Sequence, residues 1–142
     1  MSRDMDRELL ELLRNNGRES IANLARKLGV SRATVKEHMA TLERRKIIEG
    51  YTIRYHPLHE QQKINAYLMI EINPKQAASV VRHMEKIAAV QSLFSISGNY
   101  DLMALVSCDN TEQLDQVIDQ IAGLDGIDKT LTSVVLGTKL QR

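Results

Sequence analysis

Five polar side chains stand close together at the start of a helical stretch of the sequence. Ser20 and Ser31 occupy positions where helix N-caps are expected, and Gly29 separates the two helical runs. Because glycine accepts the positive φ of a tight turn, the pattern predicts a helix-turn-helix over about residues 21–40. The second helix would then present to a DNA major groove the side chains of Ser31, Arg32, Thr34, Lys36 and His38.

A basic run follows the same helix. Arg44 and Arg45 could contact DNA phosphates, and their charge also suits the negative C-terminal end of the helix dipole. Helix pairs with an intervening glycine also occur in proteins that do not bind DNA, and a basic helix end is often only a solvated surface. The spacing by itself therefore leaves open both a DNA-reading domain and a plain helical domain.

A second group of residues that could bind a small ligand lies at Gly98-Asn99-Tyr100-Asp101. Gly98 would let backbone amides approach an anion such as an α-carboxylate, and Asp101 could pair with an α-ammonium group. Tyr100 could form a wall for the ligand's side chain. The alternative is a hairpin turn in which nearby backbone amides satisfy the Asp101 carboxylate.

The elements that would position this turn follow the order β-α-β-β-α-β from residue 64 onward. Asn73-Pro74 is typical of a helix start, and Asp109 is expected to cap the second helix. This order is typical of a ferredoxin-like domain, with both helices on one face of an antiparallel sheet. The fold class is α+β: an N-terminal winged helix-turn-helix domain and a C-terminal ferredoxin-like βαββαβ domain. The predicted strands are residues 64–72, 89–97, 100–108 and about 127–137.

Both faces of the predicted sheet carry apolar side chains. Since no helix remains to cover the second face, a symmetric homodimer through the sheets is the simplest arrangement. Coverage by the linker or by a C-terminal extension is the alternative. The alternation predicts that Tyr67, Met69, Leu93, Met103 and Leu105 lie on one face, opposite Leu68, Phe94, Leu102 and Val106.

Charge and composition divide the chain. Residues 1–63 carry 13 Lys and Arg against 9 Asp and Glu, whereas residues 64–142 carry 6 against 9. A basic first half beside an acidic second half indicates that one half faces a polyanion. The expected boundaries are a DNA-binding domain at 1–50, a linker strand at 51–63, and an α/β ligand-sensing and dimerisation domain at 64–142.

Enzymatic and membrane functions are not favoured. His56 and His59 have metal-ligand spacing, but no companion cluster stands near them in the sequence. No catalytic constellation is visible, so we expect neither an enzyme nor a bound cofactor or metal. The single cysteine, Cys108, and the absence of an 18-residue apolar run or signal peptide lead us to expect a cytoplasmic protein without a membrane partner.

The chain resembles the leucine-responsive regulatory protein/AsnC family of transcription regulators over nearly its whole length. In the second half, the segment Gly98-Asn99-Tyr100-Asp101 is similar to that family's ligand-sensing domain. In the first half, the matching residues are Asp6, Leu10, Gly17-Arg18, Leu24, Leu28-Gly29, Ser31, Leu42-Glu43 and the run from Ile47 to Tyr51.

The resemblance implies a cytoplasmic regulator that dimerises through its α/β domain and often assembles into tetramers or octamers. It implies double-stranded DNA as partner, and a two-fold dimer would read a pseudo-palindromic operator. Small effectors, usually amino acids, would bind between α/β domains and change assembly or DNA affinity. By position, the pocket would add Thr132, Ser133 and Val134 to the turn residues.

Two other functions stay open. Some haem-pathway decarboxylases share this two-part architecture, but residues 64–142 contain only His83 as a histidine for such a site. The second is a ligand-binding or oligomerisation module that no longer reads DNA. The presence of Ser31, Arg32, Thr34 and Lys36 argues against that reading.

Overall fold

The computed structural model describes residues 2–60 and 63–142, which form two compact units; along the chain, the first ends at Arg54 and the second begins at Tyr55. The first unit contains α1 (Ser2–Asn15), α2 (Ile21–Leu28) and α3 (Arg32–Arg44). The elements of the second unit are α4 (Pro57–Glu60), β1 (Ile64–Ile72), a 3-10 turn (Pro74–Gln76), α5 (Ala77–Glu85), β2 (Val90–Ser95), β3 (Leu102–Cys108), α6 (Thr111–Ala122) and β4 (Ile127–Val134).

The helix-turn-helix of the first unit has the predicted local geometry. The Ser20 hydroxyl accepts a hydrogen bond from the Asn23 amide, and the Ser31 hydroxyl accepts one from the Thr34 amide, both at 3.1 Å. Between the two helices, Gly29 has φ of 68°, in the left-handed region. The three helices enclose a small apolar core of Leu9, Leu13, Leu24, Ala25, Val35 and Leu42.

The end of α3 was not anticipated from the sequence. Lys46 has φ of 57°, the one left-handed residue other than glycine in the described part of the chain. The amide of Ile47 then donates to the Leu42 carbonyl at 3.0 Å, which closes the helix in the manner usually found with glycine. A side chain at such a position costs about 1 kcal/mol, so α3 ends under local strain.

The second unit has the predicted βαββαβ order and an antiparallel sheet with strand order β2-β3-β1-β4. Alternate residues of the two central strands, among them Leu68, Ile70 and Val106, are fully buried. They pack with the buried faces of α5 and α6, which supply Val80, Met84, Leu114, Val117 and Ile121. One face of the sheet is thereby covered by helices, as the ferredoxin-like prediction requires.

The predicted orientation of β2 is wrong. Leu93 pairs with buried Ala104 and packs on the core, whereas Phe94 pairs with Met103 and is 47% exposed. Leu93 and Phe94 are adjacent apolar residues, so alternation within β2 cannot decide which one faces inward. The register of the β2–β3 hairpin decides it, since a one-residue slip moves every side chain to the opposite face.

The linker strand predicted at residues 51–63 is also not present in the described residues. Residues 51–56 have no hydrogen-bonded strand partner, and Pro57–Glu60 form a helical turn. Residues rich in strand formers become a strand only when another strand pairs with their amides and carbonyls. No strand of the described chain does so here.

The cap of α6 lies one residue later than predicted. The Asn110 side chain, not that of Asp109, accepts a hydrogen bond from the Gln113 amide at 2.7 Å. The Gln113 side chain in turn accepts from the Asp109 amide at 2.6 Å. The reciprocal pair resembles a capping box, in which asparagine and glutamine take the places expected for Asp109 and Glu112.

Gly126 joins α6 to β4 at a point where the chain is tightly packed. Its φ is 96°, and its carbonyl accepts a hydrogen bond from the Asn73 amide at 2.8 Å. A Cβ atom at this position would lie 2.7 Å from the Cβ of Gln76 and 3.0 Å from Cγ2 of Val80. Only glycine fits there without displacing the turn before α5.

We expect Gly126→Ala to lower the free energy of unfolding by about 2–4 kcal/mol, because backbone strain and overpacking add. Gly50→Ala is the matched control, since nothing lies within 4 Å of the added Cβ and its φ is not positive. The control should change stability by less than about 0.5 kcal/mol. Urea unfolding at fixed protein concentration measures both, and equal stabilities would contradict the packing described here.

Candidate DNA-binding surface and effector turn

The outer side of α3 carries two exposed cations. Arg32 and Lys36 are exposed and four residues apart, so they project from neighbouring positions on one side of the helix. The hydroxyl groups of Ser31 and Thr34 already make hydrogen bonds within the helix start. Their oxygens lie 2.8 Å apart, and the Ser31 hydroxyl also caps the helix. The start of α3 thus presents two long basic side chains on a capped helix end.

His38 does not belong to that outer side. Its Nδ1 lies 2.7 Å from Oδ1 of Asp6, on α1, and the two side chains are 22% and 23% exposed. The expectation that His38 is presented outward with Arg32 and Lys36 conflicts with this contact. The sequence does not identify Asp6 as the partner of His38, because the two residues are 32 positions apart. The packing of α1 against α3 brings them together.

The basic end of α3 remains exposed. Arg44 donates a hydrogen bond to the Thr41 hydroxyl at 3.1 Å, and Arg45 forms the C-cap. Beside them, the Tyr51 hydroxyl donates to a carboxylate oxygen of Glu43 at 2.9 Å. Burial, together with this carboxylate, raises the pKa of Tyr51. Tyr51 is therefore a neutral hydrogen-bond donor that engages an anionic side chain next to the basic residues.

The loop between β2 and β3 forms the predicted turn around Gly98, whose φ is 113°. The turn is closed by the Ile96 amide, which donates to the Asp101 carbonyl at 3.0 Å. The backbone amides of residues 97–100 donate to no group among residues 2–60 and 63–142. Successive backbone amides without a partner at a glycine turn suit an anion.

Asp101 has a structural task in this turn. Its amide donates to the Ile70 carbonyl, and its Oδ2 accepts from the Ile72 amide, both at 2.9 Å. These contacts support the alternative in which backbone amides satisfy the carboxylate. Oδ1 has no hydrogen-bond partner in the described chain, so one oxygen remains for a ligand.

The three β4 residues assigned by resemblance lie elsewhere in the sheet. Ser133 pairs with Tyr67 and Val134 with Ala66, whereas Asp101 binds the other end of β1 at Ile70 and Ile72. About four residues of strand, or roughly 13 Å, separate these levels of the sheet. Ser133 and Val134 are therefore distant from the turn along the sheet, whereas Thr132, opposite Leu68, lies two residues from the Ile70 level.

Two residues that sequence reasoning missed stand next to the turn. The ammonium nitrogen of Lys129 lies 5.9 Å from the centre of the Tyr100 ring. Lys129 also pairs with Glu71 in the β1–β4 register. No motif indicates this grouping, because it depends on the alignment of strands about 58 residues apart in sequence.

The other candidate groups show little reactive character. Cys108 is buried, and burial together with the charge of Asp109 raises the pKa of its thiol. Among the described residues, no three His, Cys, Asp or Glu side chains are grouped for a metal ion, and no helix is long and apolar enough to cross a membrane. The Tyr55 and His59 rings stack, 4.9 Å apart.

A groove of about 410 Å³ lies in the first unit, lined by α1 residues and Lys27 of α2. It contains charges of both signs and belongs to neither the turn around Gly98 nor the outer side of α3. It therefore adds nothing to the two candidate sites. Its remaining lining residues are Arg7, Glu8, Glu11, Leu12 and Asn15.

Comparison with known proteins agrees with the division into two units. Residues 2–49 match a family model described as winged helix-turn-helix DNA-binding, and residues 65–142 match the Lrp/AsnC ligand binding domain. An HTH-type transcriptional regulator of Pyrococcus horikoshii is 33% identical over 134 residues, which cover 92% of this chain and 89% of the relative.

Solved structures agree as well. Escherichia coli AsnC superposes with a TM-score of 0.88 at 28% identity, covering 98% of this chain and 95% of AsnC. A transcriptional regulator of Neisseria meningitidis, solved as an L-Met complex, has the same fold with a TM-score of 0.85 at 19% identity, covering 96% and 91%. The chain belongs to the Lrp/AsnC family: it is a DNA-binding transcription regulator with a helix-turn-helix domain and a ligand-binding domain.

We expect Asp6→Ala to destabilise the first unit by about 1–2 kcal/mol, because it removes a half-buried hydrogen bond between α1 and α3. Asp4→Ala, at an exposed position on the same helix, is the control and should have little effect. In a double-mutant cycle with His38→Ala, thermal unfolding should show strongly non-additive losses. Additive losses would mean that His38 is not held by Asp6.

Proposed function

We propose that this protein binds a pseudo-palindromic operator as a homodimer, with one α3 helix in the major groove at each half-site. The observation that carries the proposal is the exposed pair Arg32 and Lys36 at the capped start of α3. Residues at the start of a recognition helix reach base edges, and basic residues near its end contact phosphates. Arg44 and Arg45 are assigned the phosphate contacts, and Ser31 and Thr34 supply hydroxyls at the helix start.

His38 takes a different role in the proposal. Its contact with Asp6 supports a function in holding α3 against α1 rather than in reading bases. The DNA-binding set is therefore Arg32 and Lys36 with Ser31, Thr34, Arg44 and Arg45. Because the net charge of residues 1–63 is only +4, tight binding would need two or more domains on the same DNA.

The uncovered face of the sheet supports the homodimer. Tyr67, Phe94 and Leu131 are 37%, 47% and 51% exposed and lie on the side opposite the helices. Water contact with such an apolar surface is unfavourable by about 25 cal/mol per Å². A second copy would bury the same surface on both subunits, as a two-fold contact requires, and larger assemblies of dimers would build on it.

The effector proposal also uses two subunits. In one chain the turn at Gly98–Asp101 and the β4 residues Thr132–Val134 lie at different levels of the sheet. Contact of one ligand with both the turn and the more distant Ser133 and Val134 favours contributions from different copies of the chain. We propose that an amino acid binds there and changes assembly or DNA affinity, in line with the L-Met complex of the Neisseria regulator.

This role needs no catalysis. We therefore propose a regulator without enzymatic activity that works where the chromosomal DNA is, in the cytoplasm. Binding energy for DNA and for the effector is sufficient for every step described above. The relatives named as transcription regulators support this reading.

The double variant Arg32→Ala/Lys36→Ala should lose specific DNA binding. An operator selected from random DNA by the wild-type protein should bind at least about 100-fold more weakly, since each base contact contributes about 1–3 kcal/mol. Fluorescence anisotropy at several salt concentrations measures the affinity. The control Lys75→Ala/Arg82→Ala removes two exposed cations from the second unit and should bind normally. Wild-type affinity in the double variant would show that α3 is not the helix that recognises the operator sequence.

Phe94→Glu should reduce the mass of the assembly in size-exclusion chromatography coupled to light scattering. The substitution places a charge within the proposed interface, where it has no partner. Phe94 is half-exposed in one chain, so the single subunit should still fold. Ile47→Glu, at a residue of similar exposure in the first unit, is the control. An unchanged mass for Phe94→Glu would show that the sheet face is not the dimer contact.

A further inference from the structure

The turn at Gly98 lies beside two opposite charges that are not joined in an ion pair. Glu71 on β1 and Lys129 on β4 are direct partners in the sheet register. The side-chain ion pairs of the described chain are Lys27–Glu19 and His38–Asp6, and neither includes these two residues. Directly opposed residues have Cβ atoms about 5 Å apart, so a small charged ligand could contact both side chains.

These charges and the turn meet at the same end of the sheet. The two backbone-anchoring contacts of Asp101 go to Ile70 and Ile72, the residues on either side of Glu71. Tyr100, one residue before, has its ring 5.9 Å from the Lys129 ammonium, within the range of a cation–π contact. The turn, Glu71 and Lys129 thus form one group of neighbours.

The group presents complementary charge on two sides. The Lys129 ammonium and the backbone amides of residues 97–100, which have no partner in the described chain, favour a carboxylate. The Glu71 carboxylate and Oδ1 of Asp101 favour an ammonium group. A ligand with only a negative charge would face two carboxylates, and a ligand with only a positive charge would face Lys129. A zwitterion satisfies both sides.

We propose that Glu71 and Lys129 recognise the head group of a free α-amino acid, with Lys129 binding its α-carboxylate and Glu71 its α-ammonium. This inference rests on the proposed effector function and assigns that function two residues outside the Gly98–Asp101 turn. The ligand class follows from the charges: an unmodified α-amino acid binds, whereas its decarboxylated amine and its 2-hydroxy acid bind poorly. Tyr100 holds Lys129 in place and borders the ligand.

The test uses the full-length protein and isothermal titration calorimetry. The twenty protein L-amino acids are titrated first, and the tightest-binding one is then compared with its decarboxylated amine and its 2-hydroxy acid. Lys129→Gln and Glu71→Gln should each weaken binding of the amino acid about tenfold or more, the usual effect of losing a charged hydrogen bond. Lys86→Gln and Glu112→Gln, exposed charges of the same unit, are the matched controls and should bind like wild type.

The analogues give each variant its own signature. Lys129→Gln should discriminate less than wild type between the amine and the amino acid, because the charged group that favours the carboxylate is gone. Glu71→Gln should discriminate less than wild type against the 2-hydroxy acid, because one of the two carboxylates that favour the ammonium group is gone. Light scattering of both variants should give the wild-type mass, since neither residue is needed for the apolar contact.

The outcomes separate the inference from the function on which it rests. If no amino acid binds the wild-type protein, the proposed effector function is wrong and the inference falls with it. If an amino acid binds and both variants bind it like wild type, only the assignment of Glu71 and Lys129 is wrong. If either variant lowers the assembly mass of the ligand-free protein together with amino-acid binding, the lost binding follows from lost assembly, and the inference is likewise overturned.

Discussion

The architecture of the second unit depends on the central strand β1, which is hydrogen-bonded along both edges. β3 and β4 pair with its two sides, so the alternation of β1 sets which face of the sheet their paired residues share. On one face Ala66, Leu68 and Ile70 are fully buried beneath the helices. On the other, Tyr67 and Met69 have no helix over them. The same alternation that builds the core therefore also creates an apolar surface for association.

Asp101 controls how β1 ends. By accepting from the Ile72 amide while its own amide binds Ile70, it ties the turn to the last residues of the strand. This contact fixes the residue next to Tyr100, while the amides of residues 97–100 have no partner in the described chain. The Asp101 carboxylate can thus hold the turn in place with one oxygen and leave its other oxygen for a ligand.

In the first unit, α3 divides its surface among three tasks. Val35 and Leu42 bury one side in the small core, and His38 binds Asp6 on α1. The remaining side carries Arg32 and Lys36. Because the core is small, a polar contact between α1 and α3 adds to the forces that hold the recognition helix at a defined angle, and that angle determines which side chains reach a groove.

Local sequence determined the elements and their order. Helix caps at Ser20, Ser31 and Asn73, the positive φ of Gly29, and the alternation in β1 depend on residues within a few positions of one another. Such short-range preferences act before any packing occurs, so they can be predicted from the sequence. The resemblance over nearly the whole chain then supplied the family and the general location of the two sites.

Tertiary structure decided the contacts between distant residues. The inward orientation of Leu93, the pairing of His38 with Asp6, and the position of Lys129 beside Tyr100 each depend on strand register or helix packing. Adjacent apolar residues give no signal of register, and a polar side chain gives none of its partner. These features are set by the free energy of the whole packed unit, which no short segment of the sequence contains.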